Sequence, residues 1–209
     1  MGQWHNFLVG CSGVVAHNGP CVTQGEINAL LHESPNANNY IGKSQFNNAL
    51  KASDSGDAFL EQRVNSIIKN GDNGGNLTEE ISDRIFTNHL DYHPVDAKIG
   101  SNNGIDGFYV KRNTNGQVSE IAAVESKQFN SNGGVQLSKA DGNTNLPKQF
   151  SDDWFVNVRD RLRTAGKTDA ANLIDNHLAN PNIFKRYIIA IDKSTTNNSI
   201  NILKLQPFN

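Results

Sequence analysis

The apolar residues of this 209-residue chain change their spacing from one segment to the next. Between 57 and 69 they recur every three or four positions, which is typical of an amphipathic helix. Between 118 and 127 they alternate or run together, which is typical of a strand. The segment 113–116, Asn-Thr-Asn-Gly, is a turn sequence, and it predicts a β-hairpin that joins this strand to residues 105–111.

Further elements are predicted on both sides of the hairpin. Helices are expected over 24–32, 43–52, 78–89, 150–165 and 169–178, and strands over 187–191 and 200–205. Thr78 is the expected N-cap of its helix, and residues 131–145 are expected to form a long loop that faces the substrate. This order predicts an α/β (α+β) fold in which helices flank a mixed central sheet, with an N-terminal helical extension.

Composition limits the possible functions only in part. The formal net charge is −2 and the pI is near 6.3, so no overall positive field favours nonspecific binding to nucleic acids. An enzyme that concentrates its cations in one cleft is still compatible with this charge. No run of about eighteen apolar residues is present, so no membrane span is predicted. The two cysteines, Cys11 and Cys21, could pair or remain free thiols.

The strongest chemical signal is an aspartate between glycines, followed by a Glu-x-Lys segment. Asp106 stands in Gly-Ile-Asp-Gly, and Glu125 and Lys127 lie near the end of the predicted strand. Glu125 and Lys127 would project from one face of that strand, about 7 Å apart along it. The hairpin would bring Asp106 to Glu125 from the neighbouring strand. Two carboxylates can share a divalent cation, and a nearby ammonium group can orient a water molecule or stabilise a phosphate.

These residues resemble the PD-(D/E)xK superfamily of restriction-endonuclease-like nucleases, in particular the versions found in bacterial polymorphic toxins. In that group a Gln-x-Ser-x-x-Trp segment often follows the active-site hairpin, and here it stands at 149–154. The group also tends to carry a glutamate on a helix before the hairpin, for which Glu61 is the candidate. No proline precedes Asp106, a position that varies widely in the superfamily.

The resemblance implies a restriction-endonuclease-like core and a role for each matching residue. Asp106, Glu125 and Glu61 would hold the metal, and an all-carboxylate set favours Mg²⁺ or Mn²⁺ over Zn²⁺. Lys127 would orient or deprotonate the attacking water or stabilise the phosphate. Gln149 would position the substrate or Lys127.

A second resemblance lies at the start of the chain. Residues 7–18 end in Val-x-x-His-Asn and look similar to the Hint/Rhs-type junction that precedes the toxin domain of large secreted bacterial toxins. That likeness implies self-cleavage after Asn18 without splicing, because a glycine follows; a short β-turn-β segment without chemistry is the alternative. The expected organisation is a junction remnant over 1–22, a helical linker or delivery segment over 23–55 and a nuclease domain over 56–209.

A row of cations on the predicted helix 150–165 is a candidate contact for nucleic acid. Arg159, Arg163 and Lys167 recur at intervals of four and would share one face. Such a row could contact successive phosphates. A solvated helix face without function is the alternative.

Together these features predict a metal-dependent endonuclease toxin effector of interbacterial competition that hydrolyses DNA. The parent protein would be secreted or delivered by contact, the domain would act in the target-cell cytoplasm, and the producing cell would need a cognate immunity protein. Two alternatives remain open: the same fold acting as an RNase, particularly on tRNA, and a non-catalytic binding module.

Overall fold

A computed structural model describes residue 27 and residues 31–34, 39–46, 49–100, 103–141, 146–194 and 198–206. The junction-like segment, its two cysteines and the bond after Asn18 lie outside these ranges. Four α-helices have both ends within these ranges: α1 (Ala58–Asn70), α2 (Asn76–Arg84), α3 (Asp152–Thr164) and α4 (Thr168–Ala179). Within these ranges, no helix has the length and apolarity needed to cross a membrane.

Eleven strands are present in the described ranges. They are β1 (His32–Ser34), β2 (Tyr40–Gly42), β3 (Ala49–Lys51), β4 (His93–Pro94), β5 (Lys98–Ile99), β6 (Asn103–Gly104), β7 (Gly107–Arg112), β8 (Val118–Gln128), β9 (Gly134–Gln136), β10 (Phe184–Asp192) and β11 (Ser199–Leu205). The main sheet has the order β1-β11-β10-β8-β7-β4, with β3 also paired to β11. β8 runs parallel to β10, whereas the pairs β7–β8 and β10–β11 are antiparallel. The predicted mixed sheet flanked by helices is therefore confirmed.

Strand β8 is buried on both faces, which explains the continuous apolar run at its centre. Ile121 and Ala123 pack in the cluster that contains α3 and α4, whereas Ala122 and Val124 pack in the cluster that contains α1 and α2. Because successive strand residues point to opposite faces, a strand between two helical layers needs apolar residues at every position. Glu125 continues this strand at the point where the apolar run ends.

The predicted hairpin is confirmed, and the asparagine of its turn explains how it closes. The side-chain Oδ1 of Asn113 accepts hydrogen bonds from the backbone N–H groups of Asn115 and Gln117, both at 3.0 Å. Gly116 adopts φ = 77°, a conformation that glycine reaches without a steric penalty. Strands β7 and β8 then pair with Gly107 opposite Val124.

The N-terminal region differs most from the prediction. In the described part of 23–55, Ile27 is helical and buried, but His32–Ser34 is a strand. The predicted helix over 43–52 is replaced by a 3₁₀ turn at Lys43–Gln45, β3 and a second 3₁₀ turn at Ala52–Ser55. β1 and β3 both pair with β11. The backbone hydrogen bonds to β11 stabilise these segments as strands more than their weak local preference stabilises a helix.

Two further predictions changed in detail. Helix α2 begins at Asn76 rather than at a Thr78 cap, because the Asp72 carboxylate accepts hydrogen bonds from the backbone N–H groups of Leu77 and Thr78 at 3.2 and 2.9 Å. The predicted loop over 131–145 contains β9, which pairs with β2.

Candidate active site

The candidate site lies where β8 extends beyond its neighbour β7. The pairing of the two strands begins at Gly107 and Val124, whereas β8 stays paired with β10 from Ile121 to Gln128. Residues 125–128 therefore have a backbone edge that β7 does not cover. Asp106 reaches this edge, where its Oδ2 accepts a hydrogen bond from the backbone N–H of Ser126 at 2.9 Å.

Glycine is required at positions 104 and 107, on either side of Asp106, because neighbouring backbone and side-chain atoms leave no room for a Cβ. Gly104 has φ = 136°, and a Cβ there would lie 2.8 Å from the carbonyl oxygen of Ala97. A Cβ on Gly107 would lie 2.6 Å from the ring of Tyr109. The Gly-Ile-Asp-Gly pattern therefore reflects the path that brings Asp106 to the end of β7.

Glu125 is buried beside Asp106, and its two oxygens differ in their partners. The residue is 3% exposed, and its Oε1 forms an ion pair with the Lys127 ammonium group. Its Oε2 is buried without a hydrogen-bond partner among the described residues. A buried carboxylate oxygen without a partner is costly, and a cation at this position would compensate it.

The neighbouring charges shift the pKa values of Asp106 and Lys127. Burial raises the pKa of Asp106 to about 6, with the negative charge of Glu125 as the next cause. Burial alone would lower the pKa of Lys127, but the Glu125 and Asp106 carboxylates more than offset it, so this pKa is raised. Lys127 is therefore protonated at neutral pH.

The three residues line a polar cleft of about 430 Å³. Gln149 also lines it, and its backbone N–H donates to the carbonyl oxygen of Ser138 at 3.0 Å. In return, the Ser138 N–H donates to the Gln149 Oε1 at 3.0 Å. Gln149 thus fixes the backbone at Ser138 to the cleft wall. The structure brings Gln149 together with Asp106, Glu125 and Lys127.

Glu79 and Lys98 also line the cleft, and sequence reasoning did not include them. Their side chains form an ion pair with each other. Glu79 lies in the first turn of α2, where a carboxylate interacts favourably with the helix dipole. The sequence offered one signal, the placement of a carboxylate on the helix directly before the hairpin.

A pair of serines attaches α2 to β8 and so positions Glu79. The hydroxyl oxygens of Ser82 and Ser126 are 2.7 Å apart. Because the Ser82 hydroxyl donates to the carbonyl oxygen of Thr78 at 3.1 Å, Ser126 is the donor in the pair. Ser126 thereby contacts α2 through its side chain and Asp106 through its backbone.

Glu61 is not brought to this cleft. It is exposed in the first turn of α1 and is absent from the residues that line the cleft. In the ranges that the structure describes, no three His, Cys, Asp or Glu side chains are grouped closely enough to hold a metal ion. Asp106 and Glu125 nevertheless fit a hard divalent cation, because they are adjacent carboxylates and one of their oxygens is buried without a partner.

The predicted basic row lies outside the cleft and is engaged in ion pairs. Arg159 and Arg163 both pair with Asp175 on α4, and Lys167 pairs with Asp96. Lys167 and Asp96 line a larger groove of about 690 Å³ at the start of α4. Among the described residues that line this groove there is no pair of buried carboxylates, so the groove offers no comparable site for a metal ion.

Compared with models of protein families, with curated proteins and with solved structures, the chain matches none of them. The chemistry of the cleft is therefore inferred from its own residues and contacts.

Proposed function

We propose that this chain is a metal-dependent endonuclease toxin domain with a restriction-endonuclease-like core, which hydrolyses DNA in competing bacteria. The pair formed by buried Glu125 and half-buried Asp106, with one unpartnered oxygen and Lys127 beside it, is the observation that carries the proposal. The order of helices, hairpin, helices and two final strands supports the fold assignment. The junction-like segment 7–18 supports a secreted or contact-delivered parent toxin, a site of action in the target-cell cytoplasm and a cognate immunity protein.

In this mechanism Asp106 and Glu125 would hold Mg²⁺ or Mn²⁺, which would activate a water molecule and neutralise charge on the phosphate. Asp106 directly precedes β7 and Glu125 lies on the neighbouring strand β8; the hairpin fixes the register of the two strands, so the separation of the two carboxylates is preorganised. Lys127 keeps its proton at neutral pH, and we assign it to orienting the water or donating to a phosphate oxygen rather than to removing a proton.

Gln149 has a supporting role in this proposal. Its Oε1 accepts a hydrogen bond from the Ser138 N–H, so its contribution is to hold the backbone at Ser138 against the cleft. Substrate entering the cleft would pass this wall. The DNase assignment rests on the resemblance, and the same cleft would serve an RNase.

Expression in a bacterial host tests the proposal. Induction of the wild-type chain should stop growth and fragment the chromosome, and Glu125→Gln should abolish both effects. Glu120→Gln is the matched control, because Glu120 lies on the same strand but outside the cleft lining. Toxicity that survives Glu125→Gln would favour a binding module over an enzyme. Growth arrest with intact DNA and degraded tRNA would transfer the proposal to the RNase.

A further inference from the structure

Lys98 lies at the mouth of the cleft, where its side chain reaches solvent. It begins β5 and stands directly opposite Gly104 in the β5–β6 pair. The missing Cβ of Gly104 permits this pairing, since an added Cβ would lie 3.0 Å from the backbone nitrogen of Ile99. The Lys98 side chain is 54% exposed and lines both the cleft and an adjoining cavity of about 360 Å³. Lys98 and Asp106 therefore lie where the two spaces meet.

The Lys98 ammonium group forms an ion pair with Glu79. Besides Asp106 and Glu125, Glu79 is the third carboxylate that lines the cleft without capping a helix. A fourth carboxylate, Asp72, caps α2. Burial raises the pKa of Asp106, and the positive charge of Lys98 opposes a small part of that rise. Lys98 thus neutralises Glu79 and reaches electrostatically to the carboxylate pair.

The charge balance of the cleft gives Lys98 a second role. Asp72, Glu79, Asp106 and Glu125 carry four negative charges, and Lys98 and Lys127 carry two positive charges, which leaves two net negative charges. One divalent cation would neutralise the cleft. Without Lys98 the cation-loaded cleft would keep one net negative charge and would repel a phosphate.

We propose that Lys98 binds a backbone phosphate of the nucleic acid substrate, and that it exchanges Glu79 for this phosphate when the divalent cation enters the cleft. This inference rests on the proposed nuclease function. Lys98 then has opposite effects on the two ligands: it competes with the cation for Glu79, and it attracts the substrate.

The first test measures Mn²⁺ binding to the protein alone, by calorimetry or electron paramagnetic resonance. Lys98→Gln should bind Mn²⁺ roughly threefold more tightly, because the competing ion pair at Glu79 is lost. In a Glu79→Gln background, Lys98→Gln should raise Mn²⁺ affinity by a smaller factor, because only the longer-range repulsion between Lys98 and the cation is then removed. Lys185→Gln is the matched control; Lys185 lies near the start of β10, outside the cleft lining, and donates to the carbonyl oxygen of Asn182.

The second test measures binding of fluorescent DNA and RNA oligonucleotides in Ca²⁺ over a range of salt concentrations. Lys98→Gln should weaken binding of the preferred oligonucleotide and lower the slope of log affinity against log salt by about one phosphate contact. Lys98→Arg should restore both values, because it keeps the positive charge. Lys185→Gln should match the wild type.

Three outcomes separate the inference from the function on which it rests. Tighter Mn²⁺ binding together with weaker oligonucleotide binding in Lys98→Gln supports the inference. A wild-type protein that binds and cleaves oligonucleotides, with Lys98→Gln equal to it in both tests, overturns the inference and leaves the nuclease function standing. A wild-type protein that neither binds nor cleaves any oligonucleotide overturns the nuclease function, and the role of Lys98 with it.

Discussion

The Asp106 carboxylate accepts a hydrogen bond from the backbone N–H of Ser126, the residue between Glu125 and Lys127. This contact fixes the position of Asp106 relative to Glu125 and Lys127 on β8. The donor is a backbone group, so the other charged side chains of the site take no part in the contact. It exists because β7 starts one residue after Asp106, so that the edge of β8 is open there. The strand register therefore determines the geometry of the site.

Asp106→Asn should abolish cleavage and stabilise the cation-free protein. The folded-state pKa of Asp106 is raised to about 6 from an ordinary value of 3.8, so the native state binds more protons between these values. The Asp106 contribution to stability therefore falls as pH rises through this window and is unfavourable at pH 7. We expect Asp106→Asn to raise the free energy of unfolding at pH 7 by about 1–2 kcal/mol. Denaturation in EDTA at pH 4 and pH 7 measures this, and a loss of stability at pH 7 would contradict it.

Divalent cations should stabilise the wild-type protein. Ligands that bind only the native state raise stability by mass action, by about 2.7 kcal/mol at a hundredfold excess over the dissociation constant. Melting curves in Mn²⁺ should shift upward for the wild type and for Glu61→Gln, which alters an exposed carboxylate outside the cleft. The shift should be absent in Glu125→Gln and reduced in Glu79→Gln. A shift that depends on Glu61 instead would place a metal ligand on α1.

Gly104→Ala should reduce both stability and activity. The alanine would have to adopt φ = 136° with its Cβ 2.8 Å from a backbone oxygen, which costs about 1–3 kcal/mol and displaces Asp106. Gly116→Ala is the matched control, since it also has a positive φ but an added Cβ meets nothing within 4 Å. Gly116→Ala should lose some stability and keep its catalytic rate. Equal loss of activity in both variants would show that Gly104 has no special relation to the site.

His177 should make the protein acid-sensitive. It is buried against Phe184, with ring centroids 3.7 Å apart, and burial and the positive charge of Arg186 lower its pKa to about 4. Because the folded-state pKa lies below the ordinary value of 6.5, stability is complete above pH 6.5 and is lost as pH falls toward 4. We expect a loss of about 1–3 kcal/mol over this window. Urea titrations across this range should show a flatter profile in His177→Phe, and an unchanged profile would exclude His177 as the cause.

The sequence predicted the elements whose signal is local. The helix over 58–70 has a regular apolar spacing, and the hairpin has a turn sequence at 113–116, so both were found with small boundary errors. The strands near the N-terminus were missed because β1 and β3 exist only through their pairing with β11, a contact between distant parts of the chain. Short segments take their conformation from such partners.

The residues of the candidate site also divide into those with a local signal in the sequence and those that depend on contacts between distant segments. Asp106, Glu125 and Lys127 share one hairpin, so their proximity followed from strand periodicity. The participation of Glu79 and Lys98 depends on how α2 packs against β8 and on the position of β5 beside the cleft, and no spacing in the sequence encodes that arrangement.

The most direct test of the nuclease account is cleavage of supercoiled plasmid and total tRNA by the purified chain, with Mg²⁺ or EDTA. The account predicts plasmid cleavage that requires Mg²⁺ and is lost in Glu125→Gln but kept in Glu120→Gln. Selective loss of tRNA with the same dependence would retain the site and change the substrate. Survival of both nucleic acids with Mg²⁺ and with Mn²⁺ would contradict the account.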